Sequence, residues 1–172
     1  SEMCIRDSDM IFQLRTAPTN RITKFLKSKK RYYFLLEKAN HCITCTPELD
    51  KIASKFNRNT TDISSTINTE TYLPVNDYKN KKEIIIGWTG SHSTVPYLNL
   101  LDEVFKFLST KYNFKLLVMG TSNFKIEGVK VETVAWQYEK EISTLQRMDI
   151  GVYPLPDNEW IKGKSGLKAL QY

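Results

Sequence analysis

From Glu83 onward the chain repeats one pattern: a short apolar run, a loop of small residues or prolines, then a helical period. Glu83-Ile-Ile-Ile-Gly-Trp88 is apolar without alternation, as a parallel strand covered on both faces requires. Thr89-Gly-Ser-His-Ser-Thr94 follows, and Leu98, Leu101, Val104, Phe105 and Leu108 then predict a helix over 95–112. Further strands are predicted at 114–119, 129–134 and 150–153, with a helix over 138–147. The alternation is that of an α/β chain with a doubly wound, Rossmann-type parallel sheet. Its strands at 84–88, 115–119 and 150–153 are expected parallel in one sheet.

The last strand leads into a loop with Pro154 and Pro156 and then into a helix starting around Ser165. In an open α/β sheet a ligand sits outside the carboxyl ends of the strands, with a helix start turned toward an anion. Gly163 and Gly166 permit close backbone approach, and Lys162, Lys164 and Lys168 supply positive charge. Lysine near a helix start opposes the helix dipole, which points to a bound anion as compensation. The first loop repeats this logic: Gly90 allows approach, and Ser91, Ser93 or Thr94 can donate to phosphate. Small residues before a helix also serve as a plain cap. His92 is either a partner for a phosphate or sugar hydroxyl or an exposed loop histidine. Trp136 and Gln137 follow the third strand.

The region before Glu83 is organised differently. A helix is predicted over 19–40, capped by Thr19 or Asn20, with Ile22, Phe25, Leu26, Tyr33 and Leu36 on one face and Lys24, Lys27, Lys30 and Arg31 on another. Such a basic amphipathic helix can lie on anionic lipid, giving peripheral contact with the inner face of the membrane, although most such faces are only solvated. A short strand over 41–46 leads, through Thr46 as cap and Pro47, into a helix reaching Phe56, and a further strand is expected over 61–67. Residues 68–82 are polar, contain Pro74 and lack a period, so they read as a linker between a domain over 9–67 and another over 83–172. Residues 1–8 carry no period and resemble a translated sequencing adapter, hence a leader foreign to the chain. Both ends are expected to be cut.

A composition of 41% hydrophobic and 12% aromatic residues in 172 is ample for a core. The formal charge of +6, from 25 basic and 19 acidic residues, suits an anionic small molecule. It is not concentrated on an aromatic strand face, so nucleic acid is not expected as a partner. Cys42 and Cys45 lack the second pair that a zinc site needs and read as buried thiols, on opposite faces if 41–46 is a strand. Sparse cysteine and no visible secretory signal make a cytoplasmic location the expectation. The Asp157-x-Glu159 pair is too little for a metal site.

The tail resembles the family 4 glycosyltransferases of the GT-B fold. Gly166-Leu-Lys-Ala-Leu-Gln-Tyr172 stands where that family has Gly-Leu-x-x-Leu-Glu-Ala, and the family's two Glu positions fall on Gly163 and Gln171, neither of which is Glu. The loop is similar to a branch reading roughly Asp-Ile-Gly-x-x-Pro-Leu-x-Asp-x-x-Trp-x-x-Gly-Lys, in which the loop lysine takes over donor contacts. More loosely, Ala39-Asn-His-Cys-Ile-Thr-Cys-Thr-Pro-Glu-Leu49 resembles the closing part of the family's acceptor-side domain. The resemblance implies a retaining, metal-independent transfer of sugar from a nucleotide-diphosphate-sugar to a hydroxyl of a polysaccharide, glycan or lipid-linked acceptor, with no other cofactor. It implies donor contacts at Gly90, Ser91, His92, Gly163, Lys164, Ser165, Gly166, Lys168 and Gln171, and base contacts at Trp136 and Gln137. A truncated chain of this kind is not expected to turn over by itself. The absent Glu pair leaves open a nucleotide-sugar-binding module without chemistry, and a nucleotide-sugar epimerase shares the fold.

Overall fold

The computed structural model describes residues 29–75 and 83–172, and the backbone of residues 4–7. The predicted helix before Lys29, with Lys24 and Lys27, and linker residues 76–82 lie outside the described residues. The chain folds as two compact units, Ser1–Ser65 with Asp157–Gly166, and Thr66–Pro156 with Leu167–Tyr172.

The first unit holds a three-stranded parallel sheet in the order β1 (Cys4–Asp7), β2 (His41–Thr44), β3 (Thr60–Asp62). Strand β1 falls within the stretch read as a leader, where no sequence period announces it. Helix α1 (Lys29–Lys38) buries Tyr32 and Leu36, and Asn57 donates its side-chain amide to the carbonyls of Leu36 and Ala39 at 2.7 Å each, closing the helix end. Helix α2 (Pro47–Ala53) starts as expected: Pro47 needs no amide partner, and the Thr46 hydroxyl accepts from the amide of Leu49. It ends at Ala53, short of Phe56, whose ring instead stacks on Tyr33 with centroids 4.4 Å apart.

Cys42 and Cys45 are buried in one core with Leu36, Leu49 and Ala53, not on opposite faces. The alternation that would separate them stops because β2 ends at Thr44. Trp160 packs against this same core, which ties Asp157–Gly166 to the first unit.

The second unit is built on four parallel strands: β4 (Ile84–Thr89), β5 (Phe114–Met119), β6 (Val131–Val134) and β7 (Ile150–Gly151), in the order β6-β5-β4-β7. Counted from β4, that is 3-2-1-4, the order of a doubly wound Rossmann-type sheet, with the reversal between β4 and β7. The strands expected parallel in one sheet are so paired. The predicted helix over 95–112 is three pieces: α3 (Val95–Leu98), a 3-10 turn (Asn99–Leu101) and α4 (Asp102–Ser109). Leu98 and Phe105 from these pieces bury against Trp88, Leu116 and Val118. Each of these two side chains stabilises the unit by about 2–5 kcal/mol relative to alanine.

Beyond β6, a 3-10 turn (Tyr138–Lys140) and α5 (Glu141–Leu145) replace the longer helix expected there. Residues after β7 contain α6 (Glu159–Lys162), capped by the Asn158 side chain, and α7 (Leu167–Gln171). The start of the expected linker forms a turn, in which the Asn68 side chain accepts from the amide of Glu70 and the Leu73 carbonyl from Gln146.

Candidate functional site

At the reversal between β4 and β7, a side chain of α7 reaches the carboxyl end of β4. Strand β7 reaches the β4 ladder through Gly151, and the Val152 amide donates to the Gly87 carbonyl at 2.8 Å. The next β4 groups facing that edge belong to Thr89, and both are met by side chains of the tail. The Lys168 ammonium donates to the Thr89 carbonyl at 2.6 Å, and the Tyr172 hydroxyl accepts from the Thr89 amide at 2.8 Å. Lys168 also lies 5.8 Å from the centroid of the Trp88 ring.

The Gly90 loop begins at this point. The Gly90 amide donates to the Met119 carbonyl, and the Gly120 amide to that of Val134, so the loops after β4 and β5 leave the sheet in step. Gly120 has φ +101°, and a Cβ there would lie 1.9 Å from the Gly90 carbonyl oxygen. Only glycine allows the two loops to approach this closely.

Within the loop, the Ser91 amide donates to the Thr94 hydroxyl at 3.0 Å, while the Ser91 carbonyl receives the amides of Thr94 and Val95. The Ser91 and Ser93 hydroxyls bond each other at 2.9 Å. Since α3 is four residues long and carries proline in its first turn, the loop's capacity for an anion lies in these exposed hydroxyls more than in a helix dipole.

His92 turns to the β5 loop, its Nδ1 3.5 Å from the Thr121 hydroxyl. Together they line an open hollow of about 410 Å³ with Asn99, Asp102, Asn123 and Lys125. Burial raises the Asp102 carboxyl, against the lowering effect of Lys106, and its Oδ1 has no hydrogen-bond partner among the described residues. Trp136, after β6, is 54% exposed, and Gln137 beside it is exposed too.

Other expected donor contacts are placed differently. The Gln171 amide donates to the Tyr72 hydroxyl at 3.1 Å and to the Glu141 carboxylate at 3.4 Å, on the wall of a groove of about 210 Å³. Gly163, Lys164, Ser165 and Gly166 belong to the first unit. There Gly163 ends α6, the Lys164 amide donates to the Ile161 carbonyl at 2.9 Å, and Gly166 takes φ +66°. Helix α7 starts at Leu167, later than expected, because Gly166 holds the chain in the left-handed region. Lys162 is paired with Glu159, which takes that carboxylate out of the Asp157-x-Glu159 pair. Among the described residues no group of three or more His, Cys, Asp or Glu is placed to hold a metal, and no helix is long and apolar enough to cross a membrane.

Tyr172 escaped sequence reasoning. Its signal was available: it lies four residues after Lys168, hence on the same helical face.

No protein-family model and no curated protein sequence matches the chain. Among solved structures, it is similar to sucrose-phosphate synthase from Thermosynechococcus elongatus, a glycosyltransferase of the GT-B fold, with a TM-score of 0.59 and 14% sequence identity. The likeness covers 93% of this chain and 47% of that one, so this chain spans about half the length of its neighbour. The α/β architecture with parallel sheets is thus that of the GT-B fold.

Proposed function

We propose that the chain is part of a retaining glycosyltransferase of family 4 type, moving a sugar from a nucleotide-diphosphate-sugar to a hydroxyl of a polysaccharide, glycan or lipid-linked acceptor. The observation that carries this reading is Lys168, fixed at the carboxyl end of β4 beside the Gly90 loop, at the point where the strand order reverses. In the transfer, the bond from the anomeric carbon to the diphosphate oxygen breaks and a bond to the acceptor oxygen forms, on the same face of the sugar. The acceptor's proton passes to the departing diphosphate or to solvent, and negative charge develops on the diphosphate as the bond breaks. An ammonium and hydroxyl donors fixed before reaction stabilise that charge without reorganising, and can do so without a metal.

In this reading Gly90, Ser91, His92 and Lys168 meet the diphosphate and sugar, and Trp136 and Gln137 meet the base; Gly163, Lys164, Ser165 and Gly166, of the first unit, are donor contacts by the family resemblance alone. The test is titration of the protein with uridine, guanosine and adenosine diphosphates. Saturable binding of one of them, weakened by Lys168→Met, is expected; no binding of any would remove the reading.

The second reading is a nucleotide-sugar-binding module without chemistry. Gln171 favours it, because the residue standing at one of the family's Glu positions spends its amide on Tyr72 and Glu141. Donor hydrolysis or transfer by the longer protein decides between the two. Binding without either would leave only the module.

A further inference from the structure

We propose that Tyr172 is a positioning residue, fixing the end of β4 and through it the Gly90 loop for a nucleoside-diphosphate ligand; the ligand's class rests on the sugar-transfer reading. In a parallel ladder, residues two apart present their amide and carbonyl to the same neighbour. The Gly87 carbonyl accepts from Val152, so Thr89 presents its groups to that same edge, but β7 ends at Gly151 and supplies no partner. The Tyr172 hydroxyl supplies it for the amide, and Lys168, one turn earlier in α7, supplies it for the carbonyl.

The ring lies over Gly151. Gly151 leaves the space it occupies: a Cβ at that position would lie 2.1 Å from the ring's Cγ. Across the ladder from Gly151, Gly87 leaves similar room for Met148. The Thr89–Gly90 junction is therefore secured from two sides, by Tyr172 on the β7 edge and by the bond from the Gly90 amide to Met119 on the β5 edge. Burial raises the Tyr172 hydroxyl above its ordinary pKa, opposed by its hydrogen bonds with Thr89, so it stays neutral at physiological pH.

Tyr172→Phe keeps the ring over Gly151 and removes the acceptor. Hydrogen exchange resolved by residue should then speed up about tenfold at the Thr89 amide and leave Leu117 and Val118, in the middle of β5, unchanged. The affinity for whichever of uridine, guanosine or adenosine diphosphate binds the unmodified chain should fall about tenfold, as loss of one hydrogen bond to a buried amide gives. Combined with Lys168→Met, it should lose less than the sum of the single effects, since both side chains act through Thr89.

Unchanged exchange at Thr89 would overturn the proposal. So would a uniform rise across the sheet, which would make the hydroxyl a general brace, or unchanged affinity in a chain that binds. If no diphosphate binds the unmodified chain, the sugar-transfer reading fails, while the exchange data still judge the hold of Tyr172 on Thr89.

Discussion

Lys168 and Thr89 are 79 positions apart, and the ammonium of one lies 2.6 Å from the carbonyl oxygen of the other. The carbonyl terminates β4 at the place where the sheet reverses its order, and no strand is there to satisfy it. A cation has taken the role of a ladder partner. Lys168 is thereby ordered before any ligand arrives, so an anion entering beside Gly90 does not have to immobilise a long, flexible side chain.

Lys168→Met should therefore have two effects. Removing a charge-assisted hydrogen bond costs about 1.5 to 3 kcal/mol, and it should lower both unfolding stability and affinity for a nucleoside diphosphate. Chemical denaturation and calorimetric titration measure the two separately. A stability loss with affinity intact would assign Lys168 to the scaffold alone.

Gly120→Ala should be among the most damaging single changes in the second unit. The positive φ costs an alanine about 1 to 3 kcal/mol, and the Gly90 carbonyl 1.9 Å away is backbone that cannot swing aside. The expected result is a fall of about 3 kcal/mol or more in unfolding free energy, with displaced amide resonances in the Gly90 loop. Neutral behaviour of this variant would show that the two loops are not interlocked.

The sequence announced the second unit's sheet because buried parallel strands read as unbroken apolar runs, as 84–88 and 116–119 do. Its helices were less legible. Pro96 and the 3-10 turn at Asn99–Leu101 interrupt a stripe whose period alone implies one continuous helix. Helix α6 was hidden in a loop rich in proline, since its start depends on one Asn158 contact. In the site, the charge of Lys168 could be read from the sequence and its partner could not. A bond between a tail lysine and a strand carbonyl is fixed by tertiary packing, which no local period encodes.

At the amino ends of β4–β6, Glu132 is held by Arg147 and by Lys115 at 2.9 Å, with Glu83 accepting from Lys130 at 3.2 Å. Hydrogen bonds from Arg147 and then Lys115 hold the Glu132 carboxyl below its ordinary pKa. Its contribution is thus fully present above the ordinary carboxylate range and is lost as pH falls through that range to the depressed folded value. Partial solvent access limits it to about 1 kcal/mol. Glu132→Gln should destabilise the chain by about that amount at pH 7 and flatten the acid limb of stability, followed by denaturation between about pH 7 and 3. An unaltered acid limb would place the effect in other carboxylates.

Trp136 offers a clean separation of folding from binding. With 54% of its surface exposed it contributes little to the core, and Trp136→Ala should change stability by no more than about 0.5 kcal/mol. If its indole stacks on the nucleotide base, the same change should weaken nucleoside-diphosphate binding by about 1 to 3 kcal/mol. Binding of inorganic diphosphate, which has no base, should not respond. Equal weakening of both ligands would remove Trp136 from the base site.

The two remaining lysines of the tail differ in what holds them. Lys162 is paired with Glu159 on the surface of α6, whereas Lys164 follows the end of that helix, its amide closing on the Ile161 carbonyl. An exposed pair one helical turn apart contributes a few tenths of a kcal/mol, so Lys162→Ala should alter neither stability nor donor affinity appreciably. Lys164, in the sugar-transfer reading, meets the donor diphosphate, and Lys164→Ala should lower donor affinity by about 1.5 to 3 kcal/mol. With a nucleotide-sugar donor that is turned over, KM and kcat are read separately: loss of a contact that strengthens as the diphosphate leaves lowers kcat, and loss of a uniform one raises KM. Equal behaviour of the two alanine variants would place Lys164 with Lys162, as a solvated charge, and leave Lys168 as the cation on which the diphosphate site depends.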